Sequence, residues 1–168
     1  DLETWCKNHH RGELLMEWDY EINRGLKNKF GADISNPSCV MPNSNLKVSW
    51  ICDKGHRYMA TIGNRTVNKN GCPYCAGNKL LKGFNDFETW CRENNRQDLL
   101  DEWNYEKNNG LCPCEIIQGG AGKKYWWIGG CGHEWDAVIS SRIVVRRGRK
   151  QMVNPAGCPY CSNPPKRI

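Results

Sequence analysis

The strongest constraint on this chain is an internal repeat, since residues 86–108 match residues 1–23 without a gap. Residues 1–23 read DLETWCKNHHRGELLMEWDYEIN and residues 86–108 read DFETWCRENNRQDLLDEWNYEKN, a similarity that chance does not produce. Both copies later contain a tryptophan, then a histidine that follows a glycine, and both close on Gly-Cys-Pro-Tyr-Cys. A repeat of this length indicates two copies of one structural unit.

The repeat divides the 168 residues into two small modules. We expect module 1 over 1–77, a linker over 78–85, module 2 over 86–163 and a basic tail over 164–168. A module of about 80 residues buries little apolar surface, so domains of this size usually need a metal or disulfides for stability. Because the chain begins at Asp1 rather than Met, we expect a processed chain or an excised fragment.

Each module is expected to combine short helices with one β-hairpin. Apolar residues near the start of each copy fall on one face of a helix. Further along, apolar side chains alternate on both sides of a glycine turn, which is typical of a hairpin. The alternating residues are Val48, Trp50, Cys52, Tyr58, Ala60 and Ile62 in module 1, and Tyr125, Trp127, Trp135, Ala137 and Ile139 in module 2. The sequence therefore predicts a small α+β fold for each module.

The chain contains 11 cysteines, an odd number that cannot all pair as disulfides, and their spacing favours metal binding instead. Two thiolates separated by two residues reach one ion across a tight turn, and a closed zinc site needs four ligands. Module 1 supplies Cys52, His56, Cys72 and Cys75. Because all four ligands are protein groups, no position is left for a catalytic water, and the zinc is predicted to be structural.

The ligand set of module 2 departs from that of module 1 at one position, since Cys52 aligns with Gly129. In one interpretation Cys131 takes over that position through a tighter loop, and in the other Cys112 or Cys114 completes the site. We favour Cys131 because it lies in the same hairpin turn. The favoured set is Cys131, His133, Cys158 and Cys161. Two structural zinc ions are therefore predicted, each binding with roughly 10–16 kcal/mol of apparent free energy.

The other cysteines separate into two groups. Cys6 and Cys91 recur beside a tryptophan at the same helical position, and we expect them to be buried as small hydrophobic side chains. Cys39, Cys112 and Cys114 have no counterpart in the other module. Cys112-Pro-Cys114 has the spacing of an additional metal or redox pair, but the spacing alone assigns no role to it.

Three motifs carry a resemblance to a known family. They are Trp-Asp-Tyr-Glu-x-Asn at 18–23, Trp-x-Cys-x-x-Gly-His at 50–56 and Gly-Cys-Pro-Tyr-Cys at 71–75, with close relatives of all three in module 2. Together they resemble the probable zinc-ribbon, or treble-clef zinc finger, repeats of bacteria, viruses and some eukaryotes. The resemblance implies treble-clef modules in tandem, often beside nuclease domains, and a connection to nucleic acid. The chain departs from the family in an insert at 27–39, in Gly129 and in an insert at 144–154.

Charge is segregated along each module. The opening helical segments are acidic, with net charges of −3 over 1–24 and −5 over 86–106, whereas the later halves are basic, with +4 over 47–77 and +7 over 123–168. A concentrated basic face is the electrostatic footprint of phosphate contact, so we expect nucleic acid, DNA or RNA, as the partner. The candidate contact residues are Arg65, Lys123, Lys124, Arg142, Arg146, Arg147, Arg149 and Lys150.

The tryptophans are expected to serve mainly as core residues. Trp5, Trp18 and Trp50 recur at matched positions in module 2, which favours burial over stacking on bases. Trp126 differs, because Ser49 stands at its place in module 1, so it is the first candidate for an exposed contact.

Three functions compete. A non-catalytic nucleic-acid-binding protein with two structural zinc ions agrees best with the charge pattern. The alternative is a structural component that docks proteins or nucleic acid within a large assembly, such as a ribonucleoprotein or a virion. An enzyme, namely a nuclease, is disfavoured because no cluster of carboxylates or spare histidines accompanies the ligands. No small-molecule substrate is expected.

The cysteine chemistry and the hydropathy also bear on location. Free thiols kept for zinc predict a reducing intracellular compartment, namely the cytoplasm, the nucleus, an organelle matrix or a virion interior, rather than secretion. A net charge of +6, a mean hydropathy of −0.75 and the lack of any apolar run near the ~20 residues of a spanning helix predict no membrane partner.

Overall fold

The computed structural model describes residues 1–143 and 157–162. The chain divides into two compact units, with the boundary between Asn78 and Lys79. Each unit contains two short helices, then a β-hairpin, then a third short helix. The elements of module 1 are α1 (Leu2–Asn8), α2 (Glu13–Met16), β1 (Lys47–Ile51), β2 (Arg57–Thr61) and α3 (Ile62–Thr66). Those of module 2 are α4 (Phe87–Glu93), α5 (Gln97–Asp101), β3 (Lys124–Ile128), β4 (Glu134–Val138) and α6 (Ile139–Ile143). The structure confirms the small α+β fold predicted for each module.

The first helix of each module begins at an aspartate cap. The Asp1 and Asp86 side chains accept hydrogen bonds from the backbone N–H groups of Thr4 and Thr89, each at 2.8 Å. Such caps satisfy donors that the first helical turn leaves unpaired. Asn85, which precedes the second cap, accepts from the N–H of Leu81 and donates to a backbone carbonyl upstream. Of the expected linker, 78–85, Asn78 falls within the first unit and residues 79–85 fall within the second.

The predicted hairpins are present in both modules. Strands β1 and β2 pair antiparallel from Lys47 opposite Thr61 to Ile51 opposite Arg57. Strands β3 and β4 pair antiparallel in the same way, also over five residues. In both modules a helix follows the second strand directly. In each module, one five-residue strand therefore separates the hairpin turn from the third helix.

The edge of each hairpin is completed by an isolated antiparallel bridge, from Trp18 to Trp50 and from Trp103 to Trp127, and by an asparagine side chain. The Asn23 amide donates to the carbonyl of Ser49 and accepts from the N–H of Ser49, both at 2.9 Å. Asn108 makes the same two bonds to the backbone of Trp126, also at 2.9 Å. The last residue of the repeated Trp-x-Tyr-Glu-x-Asn motif thus satisfies backbone groups that an open edge would leave unpaired.

Each module has its own hydrophobic core built around two perpendicular tryptophans. Trp18 and Trp50 pack edge to face with ring centroids 5.3 Å apart, and Trp103 and Trp127 do the same at 5.3 Å. All four are buried, as expected, whereas Trp5 is half-buried against the core of module 1. Such aromatic pairs add directional contacts to the burial of apolar area.

Three further expectations concern burial and membrane contact. Cys6 and Cys91 are fully buried, as predicted. Trp126 is 37% exposed, unlike its tryptophan neighbours in the core. Within the described residues, no helix has both the length and the apolar character needed to cross a bilayer.

Candidate metal centres

The first cluster of metal-binding side chains gathers at the end of the β1–β2 hairpin. The hairpin turn supplies Cys52 and His56, and Gly55 between them has a φ of +79°, a conformation that side chains rarely adopt. The N–H of Cys52 bonds to the carbonyl of His56 at 3.1 Å, which closes the turn. Both potential ligands are thereby presented on one side of the hairpin end.

The other two ligands come from the segment that follows α3. Sγ of Cys75 lies 3.9 Å from Sγ of Cys52 and 3.3 Å from Nδ1 of His56. Sγ of Cys72 lies 3.7 Å from the same nitrogen. The four ligand atoms all lie within 4.8 Å of one another. The predicted set is therefore brought together, and the histidine faces it with Nδ1.

Two side chains outside the ligand set hold this arrangement. The ring of Tyr74, inside the Cys-Pro-Tyr-Cys segment, packs edge-on against His56 with centroids 5.9 Å apart. Nη1 of Arg65 donates to the carbonyl of Asn70 at 2.5 Å, just before the Cys-Pro-Tyr-Cys segment. Partners of this kind orient metal ligands and fix the backbone that carries them.

The second cluster repeats the first in module 2. Cys131 and His133 lie in the β3–β4 turn around Gly132, which has a φ of +78°. Nδ1 of His133 lies 3.6 Å from Sγ of Cys158 and 3.5 Å from Sγ of Cys161. All four ligand atoms again lie within 4.8 Å of one another. Tyr160 packs against His133, as Tyr74 packs against His56.

Gly129 explains how the second set is completed. A Cβ placed on Gly129, which aligns with Cys52, would stand 3.1 Å from Sγ of Cys131 and 3.2 Å from the indole of Trp135. The Cys131 sulfur therefore occupies the space that a side chain at position 129 would fill. Of the two interpretations of the sequence, the structure supports Cys131; Cys112 and Cys114 lie in a different group, with Glu88.

The electrostatics of each cluster suit a cation. Burial acts to raise the pKa of Cys52, but N–H donors of His56 and Lys54 outweigh it and hold that pKa below its ordinary value. The N–H of His133 lowers the pKa of Cys131 to about 7. Desolvation and the neighbouring thiols raise the pKa of Cys75 to about 12. Part of each cluster thus ionises readily, and mutual repulsion opposes the rest until a cation compensates it.

The donor sets fit zinc. Each cluster offers three sulfurs and one imidazole nitrogen, the soft and borderline donors that Zn²⁺ takes in closed four-ligand sites. The two clusters therefore fit two zinc ions, which would be held by Cys52, His56, Cys72 and Cys75 and by Cys131, His133, Cys158 and Cys161. Within the described residues, each ion would tie a hairpin turn to the segment that follows the third helix.

The structure revises the predicted contacts to nucleic acid at two arginines. Arg65 and Arg142 have side chains that are 6% and 3% exposed and form ion pairs with Glu17 and Glu102. A phosphate cannot reach a guanidinium that is covered in this way, so the two arginines are structural residues. A sequence does not reveal that a recurring arginine is buried, because arginine is usually exposed.

The remaining predicted contacts fall into two groups. Lys123 and Lys124 are exposed, and Nζ of Lys124 pairs with Asp136 at 3.0 Å. The other four, Arg146, Arg147, Arg149 and Lys150, lie outside the described residues, as do the insert over 144–154 and the tail over 164–168.

Comparison with known proteins agrees with the geometry. The sequence matches the family described as "Probable Treble clef zinc finger domain" twice, over residues 14–78 and 99–164. These matches cover most of the chain, and the chain belongs to this family. No curated protein matches it. The double match confirms the resemblance and the tandem arrangement that the sequence predicted.

Proposed function

We propose that this chain is a non-catalytic nucleic-acid-binding protein whose two zinc ions are structural. The observation that carries the proposal is a groove in module 1, about 670 Å³ in volume. It lies between strand β2 and the chain around the Cys-Pro-Tyr-Cys segment. None of the described residues that line it is acidic. A groove of one charge sign concentrates a polyanion against the protein surface.

The groove combines the groups that a nucleic acid engages. Lys47 and Lys69 are exposed at its walls and form no ion pair with an acid of the described residues. Asn64 and Asn70 add amide donors and acceptors, and Met59, 50% exposed, adds an apolar surface. Ammonium groups suit phosphates, and amides together with an apolar surface suit bases.

The corresponding hairpin face of module 2 has a different charge pattern. Glu134 and Asp136 stand where module 1 has Arg57 and Met59, and they pair with Lys107 and Lys124. Among the described residues, module 1 therefore offers the stronger anion-binding face. A contribution of module 2 would rest on Arg146, Arg147, Arg149 and Lys150, which lie outside the described residues.

The non-catalytic part of the proposal follows from the ligand sets. Four protein ligands complete the tetrahedral coordination of a structural zinc ion, whereas catalytic zinc sites keep a position for water or substrate. The groove in module 1 is lined by lysines and amides and not by the carboxylates or histidines of a hydrolytic centre.

The test is a salt-dependent binding measurement. Fluorescence anisotropy with labelled single-stranded and double-stranded DNA and RNA should show affinity that falls with salt. The double variant Lys47→Gln/Lys69→Gln should bind about tenfold more weakly, with a log–log salt slope reduced by about 1.5. Lys7→Gln/Lys29→Gln removes the same charge from exposed sites outside the groove and should bind like wild type.

Three results would contradict the proposal. Wild type without affinity for any of the probes at low salt would exclude nucleic-acid binding. Equal losses in both double variants would exclude the groove as the contact surface. Co-purification with a protein at fixed stoichiometry, without nucleic-acid affinity, would favour the assembly role instead.

A further inference from the structure

A pair of cysteines in module 2 lies outside both zinc clusters. Cys112 and Cys114 are separated by one proline and are joined as a disulfide in the structure. They lie on either side of Pro113, the first residue of the 3-10 turn Pro113–Glu115. Both are half-buried, so a small molecule has access to them. Neither belongs to the four-ligand sets of zinc.

Two groups beside Cys112 act on its ionisation in opposite directions. The N–H of Cys114 donates to Sγ of Cys112 at 3.2 Å, and such a donor stabilises a thiolate. On its other side, Sγ of Cys112 lies 3.6 Å from a carboxylate oxygen of Glu88, whose negative charge opposes ionisation of the thiol. The second oxygen of Glu88 is held by Arg92. Arg92 offsets the charge of Glu88, and the N–H donor then makes Cys112 the thiol of the pair that ionises more readily.

Module 1 shows that the fold does not require these thiols. Residues 36–38, Asn-Pro-Ser, stand where 112–114, Cys-Pro-Cys, stand in module 2. Each segment begins a 3-10 turn, Pro37–Cys39 in module 1 and Pro113–Glu115 in module 2. The turn is anchored identically, since the N–H of Leu2 bonds to Val40 at 2.8 Å and the N–H of Phe87 bonds to Ile116 at 2.7 Å. The same backbone therefore forms with polar residues in place of the two cysteines.

The disulfide also contributes little to the stability of the fold. A disulfide stabilises a fold mainly by restricting the conformations of the unfolded chain. A bridge across a single intervening residue closes a very short loop and restricts them very little. Accessible disulfides that are not needed for stability are those that exchange with thiols in solution. Stabilisation of the fold therefore does not explain why this pair of cysteines is present, whereas thiol–disulfide exchange does.

We propose that Cys112 and Cys114 form a thiol–disulfide exchange site for low-molecular-weight disulfides of the glutathione class. The Cys112 thiolate attacks one sulfur of the oxidised glutathione bond, forms a mixed disulfide and releases one glutathione thiolate. The Cys114 thiolate then attacks the sulfur of Cys112, forms the internal disulfide and releases the second glutathione thiolate. Two protein thiols are oxidised, one glutathione disulfide is reduced to two thiols, and the two protons pass to the released thiolates through solvent.

This site goes beyond nucleic-acid binding and does not depend on it. The zinc ligands of the same module would be held on the metal, whereas Cys112 and Cys114 in their reduced form would be available to a dissolved disulfide. A competing reading is a third metal site, because Glu88, Cys112 and Cys114 place three ligand atoms within 4.8 Å of one another. The experiment below separates the two.

The experiment uses the full zinc-loaded chain with Cys39→Ser, which removes an exposed lone thiol. The chain is equilibrated in glutathione buffers of increasing disulfide-to-thiol ratio, then quenched and alkylated. The mass of the intact chain is measured by mass spectrometry. We expect reversible formation of the internal disulfide while two zinc ions stay bound. Adding Cys114→Ser removes the resolving thiol, so one glutathione should remain attached to Cys112. Cys112→Ser should form its adduct about tenfold more slowly, since Sγ of Cys114 accepts no N–H donor from the described part of the chain.

Three outcomes would overturn the proposal. The first is a pair that stays reduced at every ratio, and the second is a third zinc ion that is lost in Cys112→Ser. The third is oxidation that occurs only as zinc leaves module 2, because the pair would then not act as a separate site. Equal adduct rates at Cys112 and Cys114 would remove Cys112 as the attacking thiol.

Discussion

Arg142 lies over the indole of Trp127, with its guanidinium carbon 4.7 Å from the ring centroid. Arg65 takes the same position over Trp50 in module 1, at 5.3 Å. Within the described residues, Nε of both arginines has no hydrogen-bond acceptor, and the tryptophan ring faces the cation instead. The recurring arginine therefore belongs to the core of each module and links the helical half to the hairpin.

Removal of Arg65 should destabilise module 1. Arg65→Ala leaves the Glu17 carboxylate, only 23% exposed, without its cation and also removes the bond to the carbonyl of Asn70. We expect a loss of about 3 kcal/mol in the free energy of unfolding, the lower end for a broken buried pair. Urea titration at fixed free zinc measures it.

The control is an exposed ion pair in the same module. Lys7 pairs with Glu3 across one helical turn with side-chain exposures of 67% and 42%, so Lys7→Ala should cost less than about 0.5 kcal/mol. If both variants lose the same stability, or if Arg65→Ala changes nucleic-acid affinity without changing stability, the structural role of Arg65 is wrong.

Gly129→Ala should weaken the second zinc site selectively. The added Cβ would stand 3.1 Å from Sγ of Cys131 and 3.2 Å from the Trp135 ring, so the sulfur must move. Displacement of a ligand by its surroundings typically costs roughly tenfold in metal affinity. Competition with a chromogenic chelator measures the loss.

Gly130 provides a matched comparison for this substitution. A Cβ at Gly130 meets nothing within 4 Å, so Gly130→Ala should retain wild-type zinc affinity. Equal affinities for Gly129→Ala and Gly130→Ala would show that Cys131 does not occupy the space beside position 129.

The Asp86 cap should stabilise module 2 throughout the neutral range. Burial acts to raise the pKa of Asp86, but donors on Thr89 and Gly83 outweigh it and hold that pKa below its ordinary value of 3.8. A lowered carboxyl pKa gives stability that is present above the unfolded pKa and is lost as the pH falls through the folded one. Asp86→Ala should therefore cost about 1–2 kcal/mol, equally at pH 8 and pH 5.

The measurement is unfolding of module 2, followed by the amide signals of α4, at both pH values and at fixed free zinc. Asp1→Ala removes the equivalent but exposed cap of module 1 and should cost module 1 about 0.5 kcal/mol. A difference between wild type and Asp86→Ala that disappears between pH 8 and pH 5 would contradict the lowered pKa.

The zinc ligands and hairpins were predictable because both depend on local spacing. Two cysteines two residues apart and alternation around a glycine are visible in the sequence. The roles of Asn23 and Asn108 were not, since an asparagine that completes a strand edge resembles any turn asparagine. The cap of α4 was not predictable either, because Asn85 and Asp86 are adjacent and both residue types cap helices.

The arginines show a different limit. Arg65 and Arg142 were predicted to contact phosphate because they recur within basic segments, yet each is covered by aromatic rings and a glutamate. Whether a charge is buried depends on residues distant in sequence, such as Glu17 for Arg65. Charge counts along the chain carry no information on that pairing.

The most direct test is a zinc count by native mass spectrometry, combined with amide spectra of the same samples. Wild type should hold two zinc ions, Cys72→Ser and Cys158→Ser one each, and the double variant none, with loss of dispersed signals only in the module that lost its ion. A chain that keeps two zinc ions after Cys158→Ser, or that stays folded after complete chelation, would contradict two structural zinc sites.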